Sequence, residues 1–253
     1  MYLPYDKLDT AIVQAPYPLL FATISGAHLY GFPSKDSDFD LRGAHILKRD
    51  EIIGLYDLKD TIDFTNMDLG IELDLVTHDI TKFFSMLLKR NGYVLEQLYS
   101  PLIVHTSDEH DELKEIAKGC VTRHHYHHYS GFYKSQLKKL LKDEQPKVKP
   151  LLYAFRVLFT GLHLMRTGTI EANILNLNQD HKLPYIDDLV QQKVNGDEKG
   201  YLESDQFDFF LNELTRFHEM LLKEGEASTL REEPNCKIQI NDLLLRLRNS
   251  YGV

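Results

Sequence analysis

The segment Ile24–Gly43, ISGAHLYGFPSKDSDFDLRG, holds the residues best suited to chemistry. Asp38 and Asp40 form an acid-x-acid pair on a segment that reads as extended. At that spacing both carboxylates point to one face. Two like charges so close repel unless a cation lies between them. Magnesium takes oxygen ligands and keeps phosphate oxygens in its shell. The turn at Ser25-Gly26 precedes the pair. Its backbone N–H groups would face phosphates, and the glycine removes steric hindrance. Together these features fit a metal–triphosphate complex. Two-metal phosphoryl transfer holds its cations about 3.5–4 Å apart, and a third carboxylate is expected on a neighbouring strand. Asp74 meets that expectation, being polar between Leu73 and Leu75 on an alternating run. Glu72 shares its face and competes; the shorter side chain of Asp74 holds an ion more rigidly and is favoured. An isolated acid-x-acid pair is weak, because acidic residues also start turns and cap strands. The glycine turn and the later carboxylate carry the reading.

These residues need strands to position them. Leu19–Ile24 is a short apolar run suited to a buried strand, and Phe39–Leu47 begins with strand alternation. Ile71–Val76 alternates, with Ile71, Leu73 and Leu75 on one face and Glu72, Asp74 and Val76 on the other. Asp60–Phe64 is a further strand candidate. Asp79 reads as the N-cap of a helix over ITKFFSMLLKR, with Asn91-Gly92 as its stop. From about Glu109 the periodicity is helical. Phe155, Leu158, Leu162 and Met165 recur at helical spacing up to Thr167-Gly168, then Phe207 to Leu221, then Ile240 to Leu247. Polar, proline-containing breaks fall at Asp143–Pro150 and Gly225–Asn235. The expected fold is α+β, a strand-containing core over 1–106 and a helical domain over 107–253, with the boundary near Thr106.

The stretch Ser25-Gly26, Tyr30-Gly31 and Ser37-Asp38-Phe39-Asp40-Leu41-Arg42-Gly43 resembles the nucleotidyltransferases of the DNA polymerase β superfamily. The similarity is to the bacterial and phage branch carrying S-G-S-x-x-Y-G followed by S-D-x-D-x-R-G. LDLVTHDITKFFSMLLKRNGYVLEQLYSP, with its segment Asn91 to Leu98, is also similar to that branch, and Lys149–Gly168 is similar to its helical region. The resemblance implies a mixed β-sheet with helices packed on it, magnesium or manganese, and transfer of a nucleoside monophosphate from a nucleoside triphosphate to a hydroxyl. It implies that Asp38 and Asp40 bind both metals, that Asp74 completes the site, and that Ser25 and Gly26 belong to the phosphate turn. It further implies that basic and tyrosyl side chains of the helical part, here Lys134, Lys149, Tyr153 and Arg156, close over the nucleotide. Arg156 and Lys149 are carried forward as nucleotide-binding candidates. One departure is Ala27, where the superfamily serine hydroxyl helps hold the triphosphate. The missing hydrogen bond is worth about 0.5–1.5 kcal/mol, or up to about 3 kcal/mol to a charged group.

Other residues carry two readings. Arg42 shares the face of Asp38 and Asp40, so a phosphate contact and a structural ion pair are both open. His124 and His128 stand i, i+4, a metal-capable spacing, against packing on a polar helix or stacking on RNA bases. His28, beside the turn, fits a local hydrogen bond better than a substrate contact. Lys138, Lys139, Lys142, Lys147 and Lys149 form the most basic stretch, a solvated face or the first candidate for an RNA backbone.

The bulk properties set the outer bounds. The chain has 253 residues, 43% of them hydrophobic, enough for one sizeable core or two small ones. Its net charge of −9 argues against a general nucleic-acid coating protein, though not against an enzyme with a local basic patch. No long apolar run predicts a membrane span, and the N-terminus lacks a signal-peptide pattern. Cys120 and Cys236, far apart in sequence, read as two reduced thiols of a cytoplasmic protein. The leading expectation is a nucleotidyltransferase with RNA, a protein hydroxyl or a small molecule as acceptor. Its rivals are a catalytically silent nucleotide- or RNA-binding module of the same fold, and a nuclease or phosphatase using the same carboxylates. Unpaired acids in a cleft are costly without a metal, which weighs against the silent module.

Overall fold

The structure, a computed structural model, describes residues 3–66, 70–143, 146–196, 202 and 204–251. Glu144 and Gln145, within the first proline-containing break, lie outside the described residues. The architecture is α+β: a mixed five-stranded sheet in the first part of the chain, then helices. Contacts group the chain into two compact units. The sheet unit is Met1–Gly26, Asp38–Cys120 and Glu233–Val253; the helical unit is Ala27–Ser37 and Val121–Glu232. The chain thus leaves the sheet unit after Gly26 and re-enters it at Asp38.

In the sheet unit the strands are β1 (Leu19–Ile24), β2 (Phe39–His45), β3 (Thr61–Asn66), β4 (Leu73–Asp79) and β5 (Ile103–His105), in the spatial order β3-β4-β2-β1-β5. β2 and β4 run parallel; the other neighbours are antiparallel. Burial along β4 alternates, with Leu73, Leu75 and Thr77 buried and Asp74 and Val76 half-buried between them. One face of the sheet presents Ile24, Leu41, Leu73 and Leu75 to Leu8 and Ala11 of helix α1 (Tyr5–Val13). Full burial of such an aliphatic side chain is worth about 1.5–3 kcal/mol. On the other face, Phe21 meets Phe83 of α4 (Ile80–Leu88) edge-on and stacks on His110 of α6 (Asp108–Ala117).

Asp79 caps α4 as its position predicts, accepting from Thr81 N at 2.9 Å. Asn91, read as the stop of that helix, instead starts the next one: its side chain accepts from Tyr93 N at the head of α5 (Gly92–Leu98). α4 ends one step earlier, where Arg90 takes a positive φ of 63°.

The last helix, α12 (Lys237–Tyr251), packs on α4 and α6. Its Arg248 donates to both carboxylate oxygens of the buried Asp79, at 2.5 and 2.7 Å, and to Leu47 O. By contact α6 and α12 therefore group with the sheet. Helical periodicity reports that a segment is a helix with an apolar face, not which core that face meets.

In the helical unit, α8 (Val148–Thr167) is buried along most of its length and packs against α7 (His125–Leu140), α9 (Ile174–His181), α10 (Pro184–Asn195) and α11 (Ser204–Ala227). It ends at Gly168 with φ 72°, as the Thr167-Gly168 stop predicts. Gly161 lets α7 and α8 close together; a Cβ there would come within 2.9 Å of Tyr129 Cβ. The segment 27–37 packs into this unit through Tyr30 and Phe32, both buried and both edge-on to Tyr153. Among the described residues no helix is long and apolar enough to cross a membrane.

Candidate active site

Strand pairing places the acidic residues. Asp40 and Asp74 are direct partners in the parallel β2–β4 register, so their side chains leave the same face side by side. Asp38 stands two residues before Asp40 at the entry to β2, partly exposed. Ser25 N donates to Asp40 O at 2.8 Å, which sets the Ser25-Gly26 turn beside the patch. Gly26 has φ +59°, and a Cβ there would overlap the Asp40 carboxylate. Glycine is thus required twice, by its left-handed backbone and by the approach of Asp40. Ser25 Oγ is buried and has no hydrogen-bond partner among the described residues.

Arg42 decides the electrostatics. Its Nη2 donates to Asp40 Oδ1 at 2.6 Å and to Asp74 Oδ2 at 2.9 Å. Nη1 donates to Leu41 O and Asp74 O, both at 2.8 Å, and Nε to Tyr93 Oη at 3.1 Å. A guanidinium has five N–H donors, and these contacts use them all. The ion pair, one of the two readings the sequence left open, is present.

Burial pushes the Asp40 carboxyl above its ordinary range; Arg42 pulls it down, and the charges of Asp38 and Asp74 push it up again. Burial works against the Arg42 cation, yet Tyr93, Asp40 and Asp74 more than offset it, and its pKa is raised. Arg42 thus meets part of the cost of metal-free carboxylates, while burial still holds the Asp40 carboxyl above its ordinary range.

Among the described residues no group of three or more His, Cys, Asp or Glu side chains converges as metal ligands do. The physical reason lies in the geometry above: a guanidinium lies against Asp40 and Asp74. The donor set still fits a hard divalent cation. It offers carboxylate oxygens, an Asp40 whose charged form is disfavoured by burial and by two acidic neighbours, and a buried hydroxyl at Ser25 without a partner among the described residues.

The remaining candidates lie in the helical unit. Arg156 is 2% exposed, with its guanidinium carbon 3.9 Å from the centre of the Tyr30 ring. Lys149 lies on the first turn of α8, and Asp36 feels its charge, together with that of Lys193, after hydrogen bonds to Ser34 and its own backbone. His124 bonds Glu232 at 2.7 Å, while His128 stacks on Phe132. Burial, then Arg156, depresses His128 to about 4. The two histidines have separate partners, as the packing alternative expects. His28 is buried. Tyr93 is the site residue that the sequence reading missed. The available signal was the asparagine two places before it, whose capping role starts the helix that delivers the phenol.

A mixed sheet carrying paired aspartates behind a Ser-Gly turn, followed by helices, defines the class of DNA polymerase β superfamily nucleotidyltransferases. Within that class, the chain belongs to the RNA repair pathway DNA polymerase beta family, whose sequence model matches residues 4–246. The chain is similar to an uncharacterized protein of Methanocaldococcus jannaschii, MJ0002, with 35% identity over 156 residues, 61% of this chain and 63% of that protein. It is also similar to the uncharacterized protein YcgL of Bacillus subtilis, with 25% identity over 154 residues, 60% of this chain and 58% of that one. The matches thus span about three fifths of the length of these curated relatives.

Proposed function

We propose that this chain transfers a nucleoside monophosphate from a nucleoside triphosphate to a hydroxyl of RNA, releasing pyrophosphate, with Asp38, Asp40 and Asp74 as ligands for magnesium or manganese. The observation that carries the reading is the in-register pairing of Asp40 with Asp74, with Gly26 packed against the Asp40 carboxylate. Bound divalent cations would supply charge neutralisation for the triphosphate and activation of the acceptor hydroxyl. The chain's own residues do the positioning. Arg42 fixes the orientation of two carboxylates, and Tyr93 fixes Arg42. The Ser25 hydroxyl, buried across from Asp40, is the hydrogen-bonding group available to stand in for the one lost at Ala27. Lys149 and Arg156, both in the helical unit, remain the candidates for contacts to the nucleotide, with the Arg156 guanidinium held over the Tyr30 ring.

A second reading has its own observation. Arg42 neutralises Asp40 and Asp74 without a metal, as a silent nucleotide- or RNA-binding module would require. One experiment separates the two. The chain is incubated with α-labelled nucleoside triphosphates, magnesium or manganese, and RNAs with defined ends, beside the Asp38→Asn/Asp40→Asn variant. Label moving to RNA with wild type alone, with pyrophosphate released, supports the enzyme. Nucleotide binding without transfer under any condition supports the module.

A further inference from the structure

Cys120 and Cys236 lie 116 positions apart in the chain, yet their sulfurs are 3.2 Å apart inside the sheet unit. We propose that this pair is a site of oxidative modification, closing to an intramolecular disulfide that staples α12 to the end of α6. Three features support it. First, bond formation needs an approach of only about 1 Å, since a disulfide is about 2.05 Å long. Second, the two backbones are already tied together. Asn235 N donates to Gly119 O at 3.1 Å, one position before each cysteine. Gly119 permits this approach; a Cβ there would come within 2.7 Å of Cys236 Cβ. Third, the pair lies just beneath the surface. Cys236 is 4% exposed and Cys120 fully buried, while Lys118, Asn235 and Lys237 beside them are exposed.

The difference in exposure sets the order of events. The Cys236 sulfur attacks a peroxide oxygen, the O–O bond breaks, and a sulfenic acid and one water form. The Cys120 sulfur then attacks the Cys236 sulfur; the S–S bond forms, the S–O bond breaks and a second water leaves. Two thiols lose two electrons to one peroxide, and no other reagent is needed. The staple would close a long loop and anchor the helix whose Arg248 holds Asp79, so it restricts the unfolded chain and ties down the C-terminal helix together.

The test uses the full chain, reduced and then exposed to hydrogen peroxide. Remaining thiols are alkylated after denaturation, and the intact mass and peptide map are read. The expected product is a monomer lighter by two hydrogens, with no alkylation and one linked peptide joining the Cys120 and Cys236 segments. Its thermal midpoint should lie above that of the reduced protein. Full alkylation of both thiols after prolonged exposure would overturn the proposal. So would sulfinic or sulfonic products without the linkage, or disulfide-linked dimers. Cys120→Ser should leave a sulfenic acid on Cys236 that dimedone traps; trapping on Cys120 in Cys236→Ser instead would overturn the assigned order. The wild-type mass gives its answer whether or not either variant folds.

Discussion

Two arginines, one in each unit, are removed from water in different ways. Arg42, in the sheet unit, spends every donor on oxygen: two carboxylates, two carbonyls and a phenol. Arg156, in the helical unit, lies beneath the ring of Tyr30 and is surrounded by buried residues of its own helix. The first arrangement is electrostatic and exchangeable, because another cation offered to Asp40 and Asp74 competes directly with the guanidinium. The second is a packing arrangement in which an aromatic face meets the cation over a wide area. The paired aspartates thus lie in the sheet unit, while the helical unit has an apolar core and exposed lysines on α7.

Removing the carboxylates tests that division most severely. If the sheet unit carries the chemistry, Asp38→Asn/Asp40→Asn should reduce label transfer by more than about 10³-fold, as loss of a directly acting group does. Nucleotide binding held mainly by other contacts should change far less. Arg42→Gln comes next. In metal-free protein it leaves Asp40 and Asp74 facing each other without a counter-charge. A loss of about 2–3 kcal/mol in urea unfolding is expected, below the full penalty of a buried pair because both acids are partly exposed. Magnesium should restore more stability to this variant than to wild type. Equal, negligible magnesium effects on both proteins would mean the carboxylates serve Arg42 alone, and would favour the silent module.

The sheet unit was largely legible in the sequence, because alternation, a glycine turn and an N-cap are local signals. Leu19–Ile24, the alternation through Asp74 and the cap at Asp79 stand as read. β5 is only three residues long, and α1 precedes any motif, so neither left a pattern to find. Arg42 shows where local reading stops. Its face was predictable, but the partner that engages Nε comes from Tyr93, 51 positions away, and only the fold brings it near. The sorting of α6 and α12 with the sheet, and the meeting of Cys120 with Cys236, are likewise long-range outcomes that periodicity does not encode.

Acid should loosen the sheet unit through histidines buried neutral. Burial, then the charge of Lys114, depresses His110 to about 4; burial depresses His45 to about 4 as well, against the pull of Asp79. Unfolding restores an ordinary pKa near 6.5, so below that value the unfolded chain binds more protons than the folded one. Stability should therefore fall as pH drops from about 6.5 to about 4, by up to about 1.4 kcal/mol per pH unit for each such histidine. His110 stacks on Phe21, bonds Thr106 Oγ1 at 2.9 Å and approaches Leu98 O at 3.3 Å. His110→Gln should weaken the protein at neutral pH yet flatten that slope by one histidine's share. An unchanged slope would show that His110 does not titrate in this window.

The smallest effect, and the one that speaks to the helical unit, concerns its basic face. Lys134, Lys138 and Lys142 follow one another at i, i+4 spacing along α7 and just past its end. They are exposed and pair with no acid among the described residues. A chain of net charge −9 that keeps such a strip uncompensated has a local surface suited to a polyanion. If an RNA acceptor runs along it, each lysine contributes through counterion release. Its removal should then lower the slope of log affinity against log salt by about 0.7 for a single strand. The triple variant Lys134→Glu/Lys138→Glu/Lys142→Glu should lose RNA affinity at low salt and much of its salt dependence. Nucleotide binding should change less than RNA binding, since of the three lysines only Lys134 is among the side chains that the family resemblance sets over the nucleotide. An unchanged salt slope would place the RNA elsewhere and leave these lysines as an ordinary solvated face. A variant that lost nucleotide binding along with RNA would show that charge on α7 also serves the nucleotide, as the family resemblance expects of Lys134.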